Sequence, residues 1–379
     1  MRCVSPTDRA TLRRAPALLT ALGLVLAACG SSHPKATGTP STRTTLTPTA
    51  TATAAASPSS SPAVSPTPSP APGHSPTPAH TAAVAPTSAA PARTTAPPTT
   101  AAAPPGGLPN FSHVVVIVME NEEYSSVIGA SDAPYINSLA TQGALLTNYY
   151  GVSHPSLPNY LALTGGSTFG VSSDCSPASD CQGSGQSIAD QLQSAGISWK
   201  AYLEDMPACP AQSDAGSDPT AYVVHHNPFV YYPADVGYCG SKIVPASQLS
   251  SDIASGSLPR FAWLTPNMCD DMHDDCGGDA IANGDKYLSG VVPQLLGALG
   301  PDGVVFITFD EGDSNKGGGL SGAAGGQVVT IAAGSAVKAG FKSPTAYDHY
   351  SLLGTIEAAW GLPRLRNAAS APLMTDLFH

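Results

Sequence analysis

The sequence predicts an α/β domain: a mostly parallel central sheet with helices on both faces. Three observations carry that reading. Strand-like and helix-like segments alternate from Phe111 to about Pro363, the pattern of βα units. Two apolar runs, "HVVVIVME" and "GVVFITFDEGD", have no polar break and read as buried strands. Each then stops abruptly at acids, Glu120 in the first and Asp310-Glu311 in the second. In open α/β sheets that is where chemistry collects, just beyond the carboxyl ends of strands.

The elements follow in order. "HVVVIVME" is the first strand. "APYINSLATQG" is a short amphipathic helix that Gly143 stops, and "ALLTNYYG" is a second strand. "SLPNYLALTGG" is a helix with Pro158 in its first turn, where the missing N–H does little harm. "SIADQLQSAG" and "ISWKAYLED" repeat helix then strand across Gly196. "RFAWLTPN" is a strand, "GDKYLSGVVPQLLGALG" a longer helix, and "GVVFITFDEGD" and "GQVVTIAAG" are strands. "DHYSLLGTIEAAWG" is the closing helix.

Composition divides the 379 residues into three parts. Residues 1–28 carry Arg2, Arg9, Arg13 and Arg14 and then "APALLTALGLVLAA", too short to span a bilayer, which takes roughly 20 apolar residues. This is a signal-peptide pattern. Its end, Leu26-Ala27-Ala28-Cys29, resembles the lipobox of bacterial lipoproteins, which implies cleavage before Cys29 and lipid attachment to its sulfur. Residues 29–108 are almost wholly Ala, Thr, Pro, Ser and Gly and cannot bury a core. They read as a disordered tether that extends on the order of 200 Å at ~3.1 Å per residue. Residues 109–379 are one domain of ordinary size, expected to be a monomer. The implied location is the outer face of the cytoplasmic membrane or the cell wall.

The domain holds nine Lys/Arg against 26 Asp/Glu, a formal charge of −17. That excludes nucleic acid as a natural partner. It is also an unusual host for an anionic substrate, unless a cation is bound locally. Six cysteines behind an export signal argue for disulfides, most simply Cys175–Cys181, Cys209–Cys239 and Cys269–Cys276.

Polar clusters fall at element edges: Glu120-Asn121, "SHPSLPNY" from Ser153, "HHNPFVYY" from His225, "TPNMCDDMHDDC" from Thr265, Asp310-Glu311, and Asp348-His349. Glu120, Asn121, Asp310 and Glu311 offer oxygen ligands suited to one hard divalent cation. Ser156 is a hydroxyl at a helix start, where free N–H groups and the helix dipole favour an anion. His154, His226, His273 and His349 are candidate proton carriers or donors to phosphate oxygens. A cation, a hydroxyl and several histidines form a kit for phosphoryl transfer through a serine nucleophile. Other residues in these clusters have plainer readings. Ser153 is the competing hydroxyl, while Glu122 and Glu123 read as solvated. His225 is expected to face away. Asp274 either orients His273 or reaches the cation, and Asp270, Asp271 and Asp275 read as loop acids.

Taken together, "VVIVMENEEYS", "SHPSLPNYLALTGG", "HHNPF", "PNMCDDMHDD", "FDEGD" and "DHYSLLGTIEAAWGLP" resemble the bacterial phosphoesterase family of acid phosphatases and phosphatidylcholine-type phospholipases C, within the alkaline-phosphatase-like superfamily. The resemblance covers about residues 111–363. It implies an α/β/α sandwich with a single active-site metal. By position, Glu120 and Asn121 match the opening metal-binding pair and Ser156 the nucleophile, which also touches the metal. Asp310 and Glu311 match the late acidic pair, with Glu311 where many members have Asp. His226 and His273 match histidines that contact phosphate. The expectation is a metal-dependent hydrolase of small phosphate monoesters acting through a phosphoserine. A phospholipase-C-like diesterase is the nearest alternative, and an inactive surface binding protein the alternative of another class.

Overall fold

The structure, a computed structural model, describes residues 104–177 and 181–379; the expected leader, Cys29 and nearly all of the tether lie outside them. The strands are β1 (Val114–Met119), β2 (Ala144–Leu146), β3 (Tyr149–Tyr150), β4 (Trp199–Leu203), β5 (Ile243–Pro245), β6 (Phe261–Thr265), β7 (Val304–Phe309), β8 (Thr330–Ala333), β9 (Phe341–Ser343) and β10 (Tyr347–Asp348). Eight of them form one sheet in the order β5-β4-β6-β1-β7-β8-β2-β9. Only β8 runs against its neighbours; the other pairs are parallel. The helices are α1 (Tyr124–Val127), α2 (Pro134–Gln142), α3 (Ser156–Gly165), α4 (Ile188–Ser194), α5 (Leu249–Ala254), α6 (Ala280–Ala298) and α7 (His349–Ala359). They pack in two groups, α2 and α5 against α6, and α4 and α7 against α3. This is the expected α/β architecture.

The first apolar run occupies the centre. All six β1 residues are buried, and β-branched side chains suit a strand covered on both faces. Each such side chain contributes roughly 1.5–3 kcal/mol through burial. Parallel pairing of β1 with β7 puts Met119 beside Phe309. The next residues, Glu120 and Asp310, therefore leave the sheet side by side on strands about 4.8 Å apart. On the other flank β6 ends at Thr265, and its loop returns so that the Asp271 carbonyl accepts the Glu120 N–H at 2.8 Å. The register of three strands thus gathers polar groups around Glu120.

Helix α3 brings the remaining groups. All ten of its residues are buried. It stops at Gly166, whose φ of +69° and whose position against Leu365 O, 2.4 Å from where a Cβ would sit, require glycine. The α2 start is held from a distance. Asp285 on α6, 4% exposed, accepts the Tyr135 and Ile136 N–H groups at 3.0 and 2.8 Å.

Some elements differ from the sequence expectation. "ALLTNYYG" is not one strand. Thr147 and Asn148 bond Ser343 O and Pro344 O through their side chains, and the chain then leaves the main sheet so that β3 pairs with β10. Helix α6 starts at Ala280, four residues earlier than its apolar pattern suggests, because Asp279 caps the Ala282 N–H at 2.8 Å. Strands β5 and β9 and helix α5 were not anticipated; they are three to six residues long, too short to show a period. The three expected disulfides form, with Cα separations of 5.9, 5.8 and 5.7 Å. Among the described residues no helix is long and apolar enough to cross a membrane.

Candidate active site

Glu120 is the hub. It is fully buried, and its two oxygens are held by two residues of one helix face: Ser156 Oγ donates to Oε2 at 3.1 Å, and the Tyr160 hydroxyl donates to Oε1. Ser156 is the first residue of α3, after Pro155 at the cap position, so its hydroxyl does not cap the helix and turns to Glu120 instead. Ser153, the competing hydroxyl, bonds the carbonyl of His154 at 3.1 Å.

On the β7 side, Asp310 is fully buried and its Oδ1 accepts the Asn121 N–H at 3.1 Å. Asn121 has a φ of +55°, a left-handed conformation that turns the backbone toward Asp310 immediately after β1. Glu311, 8% exposed, lies against His154 Nδ1 at 3.1 Å and accepts from Asn159 Nδ2 at 3.2 Å. His154 Nε2 donates to Ser314 O at 3.2 Å. His349 has no exposure; its Nε2–H donates to the Asp310 carbonyl at 2.5 Å, and its Nδ1 accepts from the Tyr149 hydroxyl at 3.2 Å. Both ring nitrogens are engaged and burial pushes its pKa down to about 4, so His349 is a neutral support for Asp310 rather than a proton carrier.

On the β6 side, His226 is buried and stacks on Tyr160 with ring centroids 5.3 Å apart. Its Nε2 lies 3.4 Å from Glu120 and its Nδ1 3.4 Å from Asp271. Burial lowers its pKa to about 3. A neutral imidazole donates from one nitrogen only, so one of the facing carboxyls must hold a proton or a cation must stand between them. His225 packs edge-on against His226, half-buried, instead of facing away. His273 is exposed at the rim, its Nδ1–H donated to Asp274 Oδ1 at 2.7 Å, which leaves Nε2 as the free nitrogen.

Sequence reasoning missed several of these groups. Asp271, read as a loop acid, is fully buried and faces His226; within a run of four Asp nothing in the sequence marks it out. Tyr160 and Asn159 look like ordinary helix residues. Yet Tyr160 holds Glu120, and Asn159 Oδ1 accepts the Val152 and Ser153 N–H groups, shaping the loop that presents Ser156. A search for polar residues three or four positions after Ser156 would have found both. Glu123, read as solvated, is 7% exposed and ties the 314–316 loop through Ser314 and Lys316. Glu122 is half-buried and burial raises its pKa to about 7.

The electrostatics call for protons on these acids or a cation among them. Burial, followed by repulsion from Asp310 and Asp271, raises the Glu120 pKa well above the carboxylate range. Burial raises Asp271 as well; it pushes Asp310 up to about 7 and, with repulsion from Asp310, Glu311 to about 9. The Lys/Arg ion pairs of the described residues, Lys200–Asp252 and Lys316–Glu123, include none of these four acids, whose basic neighbours are the histidines His154 and His226. Asp310 Oδ2, Asp271 Oδ2 and His226 Nε2 are buried without a hydrogen-bond partner. Glu120, His226 and Asp271 bring ligand atoms within 4.8 Å of one another. Hard oxygen donors with orphaned lone pairs fit a divalent metal.

Comparison with known proteins identifies the family. The sequence profile described as "Phosphoesterase family" matches residues 129–363, more than half of the chain. The chain belongs to the Phosphoesterase family. Its chemistry is therefore hydrolysis of phosphoric esters. A phosphatidylinositol-3-phosphatase of Mycobacterium tuberculosis is 34% identical over 273 residues, 72% of this chain and 84% of the relative. The phosphate-repressible acid phosphatase of Penicillium chrysogenum is 34% identical over 265 residues, 67% of this chain. The acid phosphatase of Aspergillus fumigatus is 31% identical over 271 residues. The chain spans 60% and 56% of these two fungal proteins. Among solved structures, a member of the alkaline phosphatase superfamily from Vibrio parahaemolyticus superposes with a TM-score of 0.47 at 14% identity, over 72% of either chain.

Proposed function

We propose that the chain is an exported, metal-dependent phosphatase that hydrolyses small phosphate monoesters through a phosphoserine at Ser156. The observation that carries this reading is Ser156 Oγ at the start of α3, hydrogen-bonded to buried Glu120 beside Asp310. Glu120, Asn121, Asp310 and Glu311, with Ser156, would hold a single divalent metal, and Asp271 and His226 stand close enough to complete or support the set. When bound, the metal would supply positive charge that offsets the phosphoryl oxygens and lowers the Ser156 pKa.

The chain's own residues account for the remaining roles. Glu120 Oε2 accepts the hydrogen bond of the Ser156 hydroxyl and so aims an oxygen lone pair outward for in-line attack on phosphorus. Tyr160 fixes the other Glu120 oxygen, and His349 fixes the Asp310 backbone. We assign proton transfer on the leaving side to His273, exposed and with Nε2 unpartnered: as imidazolium it gives its Nε2 proton to the leaving alcohol, and the neutral ring then takes one from the water that cleaves the phosphoserine. His226, buried between two carboxyls, orients rather than shuttles. His154, with Nδ1 against Glu311 and Nε2 on Ser314 O, steadies the Ser153–Pro155 loop.

Names of the relatives support the monoesterase reading over a diesterase. Three disulfides support an oxidising, extracytoplasmic location. Anchoring through lipidated Cys29 on an extended tether, and a monomeric state, complete the proposal. The test compares p-nitrophenyl phosphate with bis(p-nitrophenyl) phosphate, with and without chelator. Preferred hydrolysis of the monoester, abolished by chelation and restored by a divalent cation, supports the reading. Preference for the diester moves it to a phospholipase-C-like enzyme, and turnover of neither with metal present favours a binding protein.

A further inference from the structure

Four N–H groups at the start of a helix lack intrahelical partners. At α3 these belong to Pro155 at the cap and to Ser156, Leu157 and Pro158. Proline has no N–H. Only Ser156 and Leu157 therefore carry backbone donors at the start of the helix that presents the nucleophile. The Leu157 N–H is already taken: Asp174 Oδ1 accepts it at 2.9 Å.

Asp174 is an unusual cap. Asp285, which caps α2, is buried and grips two donors. Asp174 is exposed and accepts the Leu157 N–H across 17 residues of chain. It adjoins Cys175, whose carbonyl accepts from the Tyr231 hydroxyl at 2.8 Å and whose sulfur is bonded to Cys181. That anchoring holds the carboxylate beside the start of α3, near enough for its charge to favour the protonated forms of Glu311 and His225. The Lys/Arg ion pairs of the described residues do not include it. A carboxylate oxygen on a helix-start N–H stands where a phosphoryl oxygen would be received.

We propose that Asp174 is a specificity residue of this site: its carboxylate occupies the Leu157 donor that a phosphoryl oxygen takes on binding, and its charge disfavours doubly charged monoesters relative to singly charged diesters. The inference rests on the phosphoesterase site being centred on Ser156. Substrate must displace Asp174 from Leu157, so the residue acts on binding rather than on the chemical step.

The test uses the full-length chain and its Asp174→Asn and Asp174→Ala variants. Asparagine keeps an oxygen for the Leu157 N–H and removes the charge. KM and kcat are measured for p-nitrophenyl phosphate and bis(p-nitrophenyl) phosphate, and Kd for inorganic phosphate by calorimetry. Asp174→Asn lowers the monoester KM and the phosphate Kd by about tenfold, the size of one displaced charge-assisted hydrogen bond, and the diester KM by clearly less. Asp174→Ala does at least as much. Unchanged phosphate affinity in Asp174→Asn, or weakened affinity in Asp174→Ala, overturns the proposal and makes Asp174 a structural cap like Asp285. Failure of the wild type to hydrolyse either ester refutes the phosphatase reading separately, since the phosphate affinities still decide the role of Asp174. Phosphate binding by none of the three proteins overturns the proposal too.

Discussion

Tyr160→Phe removes one hydroxyl from the most enclosed part of the site and leaves the ring in place. The ring is fully buried and stacked on His226, so packing is retained. What is lost is the donor to Glu120 Oε1, while Ser156 still holds Oε2. A hydrogen bond to a charged group contributes about 1.5–3 kcal/mol, and its loss here leaves a buried carboxylate oxygen unpaired. For a domain of this size that lowers Tm by roughly 3–12 °C. The Tyr160 hydroxyl also holds the Glu120 pKa down against burial and the neighbouring acids, so its removal makes Glu120 a poorer ligand. Loss of such a ligand-orienting bond weakens metal binding about 10–100-fold. The assay is calorimetric titration of chelator-treated protein with divalent cations, beside activity at buffered free cation. A variant with lowered Tm and unchanged cation affinity would refute the reasoning and leave Tyr160 a packing residue.

Two further predictions lie away from the reacting groups. Asp285→Ala leaves the Tyr135 and Ile136 N–H groups without their acceptor and lowers stability by about 1–3 kcal/mol, read as a shift in the denaturation midpoint, with KM for a monoester unchanged. Glu357, fully buried and accepting the Leu365 N–H, has its pKa raised by burial from 4.5 to about 8. Between those values the folded chain keeps a proton that the unfolded chain releases, so this group's contribution to stability falls as pH rises from 4.5 to 8. Glu357→Gln flattens that part of the Tm-against-pH curve and raises Tm at pH 8; an unchanged slope would show that Glu357 is ionised in the folded state.

The parts of this protein that were legible in the sequence are those where one physical signal dominates. β1 and β7 are six consecutive buried residues each, and parallel register makes the acids that end them neighbours. The start of α3 was legible because Pro158 suits the first turn of a helix. Asp271 was not, because burial of one Asp among four is decided by the return of the β6 loop onto Glu120, a tertiary contact without a local pattern. Tyr160 was hidden for the opposite reason: a Tyr on an apolar helix satisfies the core, and only the fold shows its hydroxyl at Glu120. The sequence does not show that both ring nitrogens of His349 are engaged, because their partners, Asp310 and Tyr149, are distant in the chain. The split of "ALLTNYYG" was likewise set by distant partners, Ser343 and Pro344.

The central claim is that Ser156 becomes phosphorylated during turnover. Acid-quenched reactions of the full-length chain with p-nitrophenyl phosphate, followed by peptide mass spectrometry, test it directly. The account predicts phosphate on Ser156 in the wild type, none in Ser156→Ala, and a loss of turnover of at least about a thousandfold in that variant. A Ser156→Ala protein that folds and keeps most of its turnover, or phosphate found on another residue, would contradict it.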